Sequence, residues 1–496
     1  MSTTAAQTDA VPGAGDAIAE MRRVYDLQRR ACAASAPPDL RARLGSLDRL
    51  AEAVGENSPA LADAISADFG HRSIYETSLL ELVPLQNAIR HAKQNLRRWM
   101  RPERRRVAWT FKPSRSWIQY QPLGIVGIVS PWNYPLSLAL VPVVDAMAAG
   151  NRVLLKTSDQ MPAFSKLLKS LLARAFDESE LAVLVGGVDL AEQFVRLPLG
   201  HILFTGSAAV GRKVLAAAAE NLAPVTLELG GKSPVVVCPD YDVAVAARDI
   251  TFPKLANAGQ TCLAPDYVLA PAPKVEALGQ AIIAEARRLY PGAGSNPDYT
   301  SIFTEPQYER LRTAIDEARA GGAQILAHEG GTATARAMRL TVVLRPPMTC
   351  ALMRDEIFGP VLPIVPYETL DEAVAFVNGR DKPLALYCLT HDRASCDGVL
   401  GRTTSGGATI NGLLLHQVQE DLPFGGVGSS GMGAYHGRTG FQRFSHARSV
   451  HHVRFVNVLR LTAPPYGRFA RLIVRGLGSR RASEACRLSD ARVREP

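Results

Sequence analysis

The run Ile125-Val126-Gly127-Ile128-Val129 constrains this chain more than any other stretch. It is β-branched apart from one glycine and free of polar side chains, the pattern of a strand covered on both faces. The residues after it keep a matching rhythm. Strands are predicted at 152–155, 182–185 and 201–204 with helices between them, the first at 163–176, so the sheet is parallel and its crossovers are helical. A second alternation follows, with strands at 233–237, 267–270 and 361–365 and helices at 275–290 and 307–320. Ahead of both, apolar residues recur at helical spacing from 16 to 99, as in Leu79, Leu80, Leu82, Val83 and Leu85, and 117–120 reads as a strand. The expected class is α/β: a helical layer and two α/β units in series. A length of 496 residues also calls for more than one core.

Charge and cysteine content remove several functions. Of the formal +9, the segment after Leu459 supplies +6 through nine arginines against three acids, so the body is close to neutral. Basicity belongs to an appendage, and no nucleic-acid partner is expected. The cluster Arg101, Arg104, Arg105 and Arg106 lacks interleaved aromatics and reads as a solvated connector, and His451-His452 as a surface pair. Seven cysteines without C-x-x-C spacing predict neither a disulfide framework nor a metal site. No run is long enough for a membrane span, and residues 1–15 are small and polar, read as a disordered start without a secretory signal; the expected compartment is the cytoplasm.

Two glycine patterns compete for a phosphate. Gly426-Val427-Gly428-Ser429-Ser430-Gly431 matches G-x-G-x-x-G, yet no apolar strand precedes it and no helical pattern follows, so it reads as a close-packed loop. His201 to Thr205 instead reads as a strand, Gly206 to Gly211 as a turn, and 212–219 as a helix, which aims amides and a helix N-terminus at an anion. Three further segments carry reactive groups. Cys262 follows the small, polar stretch Asn257-Ala258-Gly259-Gln260-Thr261, which could leave a thiol accessible, although a lone cysteine is more often a buried apolar residue. Glu228 precedes Gly230 and Gly231, as a general base needs if burial raises its pKa, or else it is a surface acid at a strand end. Asn133, in Pro131-Trp132-Asn133-Tyr134-Pro135, suits an oxyanion donor or an ordinary turn.

These three segments, in this order, together with Phe204-Thr205-Gly206-Ser207 and Glu356-Ile357-Phe358-Gly359-Pro360, resemble the aldehyde dehydrogenase superfamily from about residue 16 to 456. The stretches 259–267 and 423–437 are similar to its class 3 branch, and Phe444-Ser445-His446 with the basic C-terminal helix to bacterial coniferyl-aldehyde dehydrogenases. The resemblance implies a Rossmann-type cofactor domain (16–115 and 133–228), a catalytic domain (229–405), a small bridging β-element for a homodimer (116–132 and 406–457), and a basic tail (458–496). Within the bridging element it places a hairpin near 116–124 and a second contributor at 450–456.

It also implies the chemistry. Cys262 attacks an aldehyde, the Asn133 amide and the Cys262 N–H hold the oxyanion, and Glu228 activates the water that hydrolyses the resulting thioester. Gly230 lets that carboxylate move. For NAD or NADP, Lys156 meets the adenosine ribose, Gly206 and Ser207 the pyrophosphate on the turn closed by Gly211, Glu356 the nicotinamide ribose, and Phe358 packs beside the ring. The family's Lys-Pro-Ser-Glu stands here as Lys156-Thr157-Ser158-Asp159, a shorter carboxylate that relaxes the exclusion of a 2′-phosphate, and use of both cofactors is expected.

The tail at 466–477 is a basic amphipathic helix, with Phe469, Leu472, Ile473 and Leu477 on one face. It could rest on an anionic membrane or pack on the dimer, and its barely three turns favour packing. Two other functions compete: a non-catalytic protein of the same fold, which has no need of Cys262, Glu228 and Asn133 together, and a thiol hydrolase or acyl transferase, which needs a histidine base that no motif supplies.

Overall fold

The computed structural model describes residues 14–292, 295–327, 336–455 and 457–478. Two compact units divide the chain, one of residues 1–99 and 122–445, the other of 100–121 and 446–496. The disordered start expected at 1–15 lies outside the described residues up to 13, and the helix Ala14–Ala34 already includes Ala14 and Gly15.

In the larger unit the helical layer consists of Ala14–Ala34, Leu40–Glu56, Ser58–Phe69, Ile74–Thr77 and Val83–Trp99, with a π-helical turn, Ser78–Leu82, before the last. Its apolar stripe is regular: Leu85, Ala88, Ile89, Ala92, Leu96 and Trp99 are all buried. Met21 and Val24 of the first helix share a core with Ile125, Leu154 and Leu184, so this layer covers one face of a sheet.

That sheet has six strands, ordered Gly431–Met432, Val225–Leu229, His201–Gly206, Ile125–Val129, Arg152–Lys156, Leu181–Leu184. All pairs are parallel except the two-residue edge strand, which runs antiparallel to Val225–Leu229. The second sheet has seven: Gln324–Ala327, Thr341–Leu344, Val361–Tyr367, Tyr267–Pro271, Pro234–Val237, Ala385–Leu389, Gly407–Ile410, parallel apart from the first pair. Its core holds Val236, Leu269, Val343, Val361 and Leu386.

Three strands leave the two bridging segments drawn from the sequence. Ile125–Val129, assigned to the bridging segment 116–132, is an inner strand of the six-stranded sheet, as its complete burial demands. Gly407–Ile410 and Gly431–Met432, assigned to 406–457, each join one of the two large sheets. Glycine makes the second of these possible, because any side chain at Gly431 (φ 144°) would strike the Leu227 carbonyl.

In the smaller unit Glu103–Arg105, Arg115–Pro122 and Ser445–His452 form a three-stranded sheet. The arginine cluster read as a connector is thus partly a strand: Glu103, Arg104 and Arg105 pair with Ile118, Trp117 and Ser116. The later strand lies at 445–452 instead of 450–456, and the Ser116 hydroxyl is 2.8 Å from His451 Nδ1. Helices Val458–Leu461 and Arg468–Leu477 follow, with Leu472 exposed; the basic tail beyond 478 lies outside the described residues. No described helix is long and apolar enough to cross a membrane.

Candidate active site

Because the inner strands are parallel, their carboxyl ends gather several sequence motifs at one sheet edge. After Ile125–Val129 comes Asn133, after Arg152–Lys156 come Ser158 and Asp159, His201–Gly206 runs into Ser207, and Glu228 sits in Val225–Leu229. Cys262 and the loop of Glu356 and Phe358 complete a cavity of about 440 Å³ lined by Asn133, Ser158, Asp159, Gly206, Ser207, Glu228, Gly230, Cys262, Glu356 and Phe358. Lys156 and Gly211 are not among its lining residues. Lys156 is buried, which lowers its pKa while Asp159 opposes the shift, and a side chain at Gly211 would meet Leu229 Cδ2 at 2.7 Å.

A second cavity, of about 100 Å³, also reaches Cys262 and is mainly apolar, with Leu79, Leu80, Leu414, Val418 and Phe424 in its wall beside the polar Tyr134, Ser137, Thr261 and Gln417. The thiol therefore stands where a larger chamber that carries three carboxylates meets a smaller, mainly apolar one.

Cys262 is half-buried, but the stretch before it is not an open loop: Asn257, Ala258 and Gln260 have no exposed surface. Asn257 and Ala258 both adopt left-handed backbone (φ 52° each), followed by Gly259 (φ 73°). A non-glycine residue there costs about 1–3 kcal/mol and persists only where its surroundings dictate it. They do. The Asn257 N–H donates to both oxygens of Glu76 at 3.1 Å, its side-chain amide to the carbonyls of Asn133 (2.9 Å) and Gln260 (3.2 Å). Gln260 in turn donates to Asn257 O and Ser301 O, and accepts from Phe303 N–H.

Asn133 Nδ2 donates to Gln260 O at 3.1 Å, which fixes the amide's plane while it lines the cavity beside the thiol. Since an amide nitrogen carries two hydrogens, one such bond leaves a donor for a substrate oxygen. Burial pushes the Cys262 thiol up to about 12, with the Glu356 and Glu228 charges adding to the shift; the backbone N–H groups of Cys262 and Leu263 oppose it.

Glu228 is no surface acid. It is buried, neither carboxylate oxygen has a hydrogen-bond partner among the described residues, and burial raises its pKa well above the usual carboxylate range. Glu356 behaves alike: burial and the nearby Asp266 push it up to about 8, and Oε1 has no partner among the described residues. Its loop is held by Asp266, which accepts from Ile357 N–H at 2.8 Å, and by Lys232, which pairs with Asp266 and donates to Asp355 O. The glycine after Leu229 gains a definite role, since a side chain at Gly230 would land on the Glu356 carboxylate.

The cavity fits a dinucleotide. Ser207 caps the helix Ala208–Ala219, its Oγ accepting from Val210 N–H at 3.4 Å, and Gly206 precedes it without a side chain, so an anion can approach the helix end. Glu356 offers an acceptor with nothing bound to it, as a ribose diol requires. Phe358 (φ 50°) stands edge-on to Trp132 at 5.6 Å.

Sequence reasoning missed the residues beneath the site. Arg72, Glu76 and Glu81 are buried, and Lys232 and Asp266 were read only as members of motifs. On an ordinary α-helix Glu76 and Glu81 lie about 140° apart. The π-helical turn Ser78–Leu82, with more residues per turn, narrows that separation, and it left no trace in the sequence.

The profile of the aldehyde dehydrogenase family matches residues 10–450. The Pseudomonas aeruginosa protein named "Probable coniferyl aldehyde dehydrogenase" is 45% identical over 459 residues, covering 92% of this chain and 96% of its own. A coniferyl aldehyde dehydrogenase of Pseudomonas sp. is 40% identical, over 88% and 92%. Among solved structures, a substrate-bound AldH of Staphylococcus aureus superposes with a TM-score of 0.87 at 34% identity, covering 91% of this chain and 98% of that one.

Proposed function

The chain belongs to the aldehyde dehydrogenase family and catalyses NAD(P)-dependent aldehyde oxidation; from that premise we propose that Cys262 is the nucleophile, Asn133 the oxyanion donor and Glu228 the base for deacylation. The observation that carries this reading is the position of Cys262, the one proposed catalytic group that borders both cavities. An aldehyde entering through the apolar chamber meets the thiol from one side, and a dinucleotide held at Gly206, Ser207 and Glu356 meets it from the other.

Cys262 gives up its thiol proton to solvent and Sγ bonds to the aldehyde carbon; the C=O π pair moves onto oxygen, and Asn133 Nδ2 and the Cys262 N–H donate hydrogen bonds to the resulting oxyanion. The nicotinamide, when bound, supplies the hydride acceptor that turns the adduct into a thioester. A water then loses its proton to Glu228 and attacks the thioester carbon; the C–S bond breaks, the acid leaves and Cys262 is restored. Unpartnered oxygens on Glu228 leave it free to hold that water.

For the substrate we favour an aryl propenal of the coniferyl aldehyde type. The names of two relatives support this, as does the apolar wall of Leu79, Leu80, Leu414, Val418 and Phe424, against which a flat ring can pack, with Gln417 available to a ring oxygen. Use of both NAD and NADP is proposed from the short Asp159 on the cavity rim. A homodimer is proposed as well, and sedimentation tests it.

The experiment is absorbance at 340 nm with each cofactor and a panel of aldehydes. Coniferyl aldehyde should give a kcat/KM at least about tenfold above hexanal, a difference of some 1.4 kcal/mol. Hexanal preferred by that margin would overturn the substrate. Cys262→Ser should abolish turnover, and retained activity would overturn the nucleophile.

A further inference from the structure

We propose that Arg72, Glu81 and Glu76 form a positioning cluster that holds the oxyanion donor and the nucleophile in register with one another. The proposal rests on the catalytic roles given above to Asn133 and Cys262.

The three side chains come from one short stretch, the segment around Ile74–Thr77 and the π-helical turn after it, and between them they grip two catalytic segments. Arg72 Nη1 donates to the main-chain oxygen of Asn133 at 3.1 Å and lies 2.8 Å from Glu81 Oε1. Glu81 Oε2 accepts from the N–H groups of Leu136 (2.8 Å) and Ser137 (3.1 Å), where the chain after Asn133 enters its helix. Glu76 accepts from Asn257 N–H with both oxygens at 3.1 Å and from the Thr300 hydroxyl at 2.5 Å. One side of the cluster thus fixes the oxyanion loop, and the other fixes the left-handed turn that leads to Cys262.

Stability alone gives a poor account of these charges. The Arg72 and Glu81 side chains are both fully buried in the ion pair, and apolar replacements of such pairs are often neutral or stabilising. The guanidinium also lies between the rings of Phe69 (5.1 Å) and Tyr134 (5.0 Å), so it has no freedom to rotate away. What the cluster does supply is direction. Asn257 and Ala258 sit in a conformation that needs outside support, and Glu76 provides it at the one N–H that opens the turn.

The cluster is a positioning device, since none of its three residues lines either cavity at Cys262. Its loss should therefore lower kcat and leave binding alone. Glu76→Gln keeps the shape but, because both oxygens of Glu76 accept from Asn257, sets an amide N–H against the Asn257 N–H in either orientation; kcat with a good aldehyde should fall about a hundredfold, the size expected for a misplacement near 1 Å. The aldehyde KM and the NAD dissociation constant, read by fluorescence, should each stay within about threefold of wild type.

Thr300→Val, a milder change, should lower kcat about fivefold with the same split, and serves if Glu76→Gln does not fold. A kcat within twofold of wild type in the variants that fold overturns the cluster, and so does a cofactor affinity that falls in step with kcat. Cys262→Ser in parallel separates the two readings: turnover surviving there overturns the nucleophile, whereas turnover lost there but kept in Glu76→Gln overturns the cluster alone.

Discussion

Four glutamates, three of them buried and Glu356 partly so, lie around the loops that bring Cys262 to its cavities, and the fold treats them as two opposite pairs. Glu76 and Glu81 have their oxygens engaged by backbone N–H groups, a threonine and Arg72. Both oxygens of Glu228, and Oε1 of Glu356, have none. Desolvation penalises a carboxylate in either setting. Burial raises the pKa in both pairs, but in the first pair hydrogen bonds and Arg72 offset part of that penalty and make the side chain immobile, while the second pair has fewer such partners and stays ready for a ligand or a water. A buried acid with partners is scaffold, and a buried acid without them is a candidate reagent.

The sharpest way to break this contrast is to neutralise one acid of the reactive pair. Glu228→Gln should lower steady-state turnover about a thousandfold, within the usual range for a lost general base. A stoichiometric burst at 340 nm should survive, because thioester formation precedes the step that needs the carboxylate. Loss of the burst together with the steady state would place Glu228 in acylation instead.

The two reactive acids also act on the thiol. With Cys262 pushed up to about 12, its thiolate fraction in ligand-free protein grows tenfold for each pH unit below that value. Alkylation by iodoacetamide, corrected with Cys262→Ser, should rise about a hundredfold from pH 7 to 9. Levelling near pH 7 would mean that neither burial nor the neighbouring carboxylates govern the thiol.

Stability should separate the pairs with opposite signs. Glu81→Gln strands the Arg72 charge in the core and should cost about 3 kcal/mol, seen as a lower Tm. Glu356 titrates near 8 in the fold against 4.5 ordinarily, so the folded state keeps a proton that the unfolded chain releases. Wild-type stability owed to this group is complete below pH 4.5 and is lost as pH climbs through 8. Glu356→Gln removes the loss, and ligand-free Tm at pH 8 should exceed wild type by about 2 °C, with no gain at pH 5. A variant less stable at both values would return Glu356 to the scaffold.

Much of the fold was legible because its inner strands are continuous apolar runs, as at Ile125–Val129 and Tyr267–Pro271. Val225–Leu229 escaped notice because Glu228 interrupts it, and Gly407–Ile410 because glycine and alanine carry little strand signal. The site was half legible. Cys262, Glu228 and Asn133 stood out only as a set, through family resemblance. Arg72, Glu76 and Glu81 could not be picked out, since charges in a helical layer normally face solvent, and the π-helical turn that gathers them has no residue signature. Ala258 concealed its left-handed backbone for a similar reason, as alanine gives no hint of positive φ.

Asp159 supplies the smallest test, and it lies outside both pairs: an exposed carboxylate on the cavity rim, neither clamped nor desolvated. Solvent screens such a group, so its say over the cofactor's 2′ position rests on reach more than on charge. Asp159→Glu restores the longer side chain and should shift the NAD/NADP ratio of kcat/KM toward NAD about fivefold, near 1 kcal/mol. Wild type should accept both, and a preference for NAD above about a hundredfold, some 2.7 kcal/mol, would sink dual use. An unchanged ratio in Asp159→Glu would show that screening, not side-chain length, sets the tolerance, and would leave exposed carboxylates as a third class beside the clamped and the reactive ones.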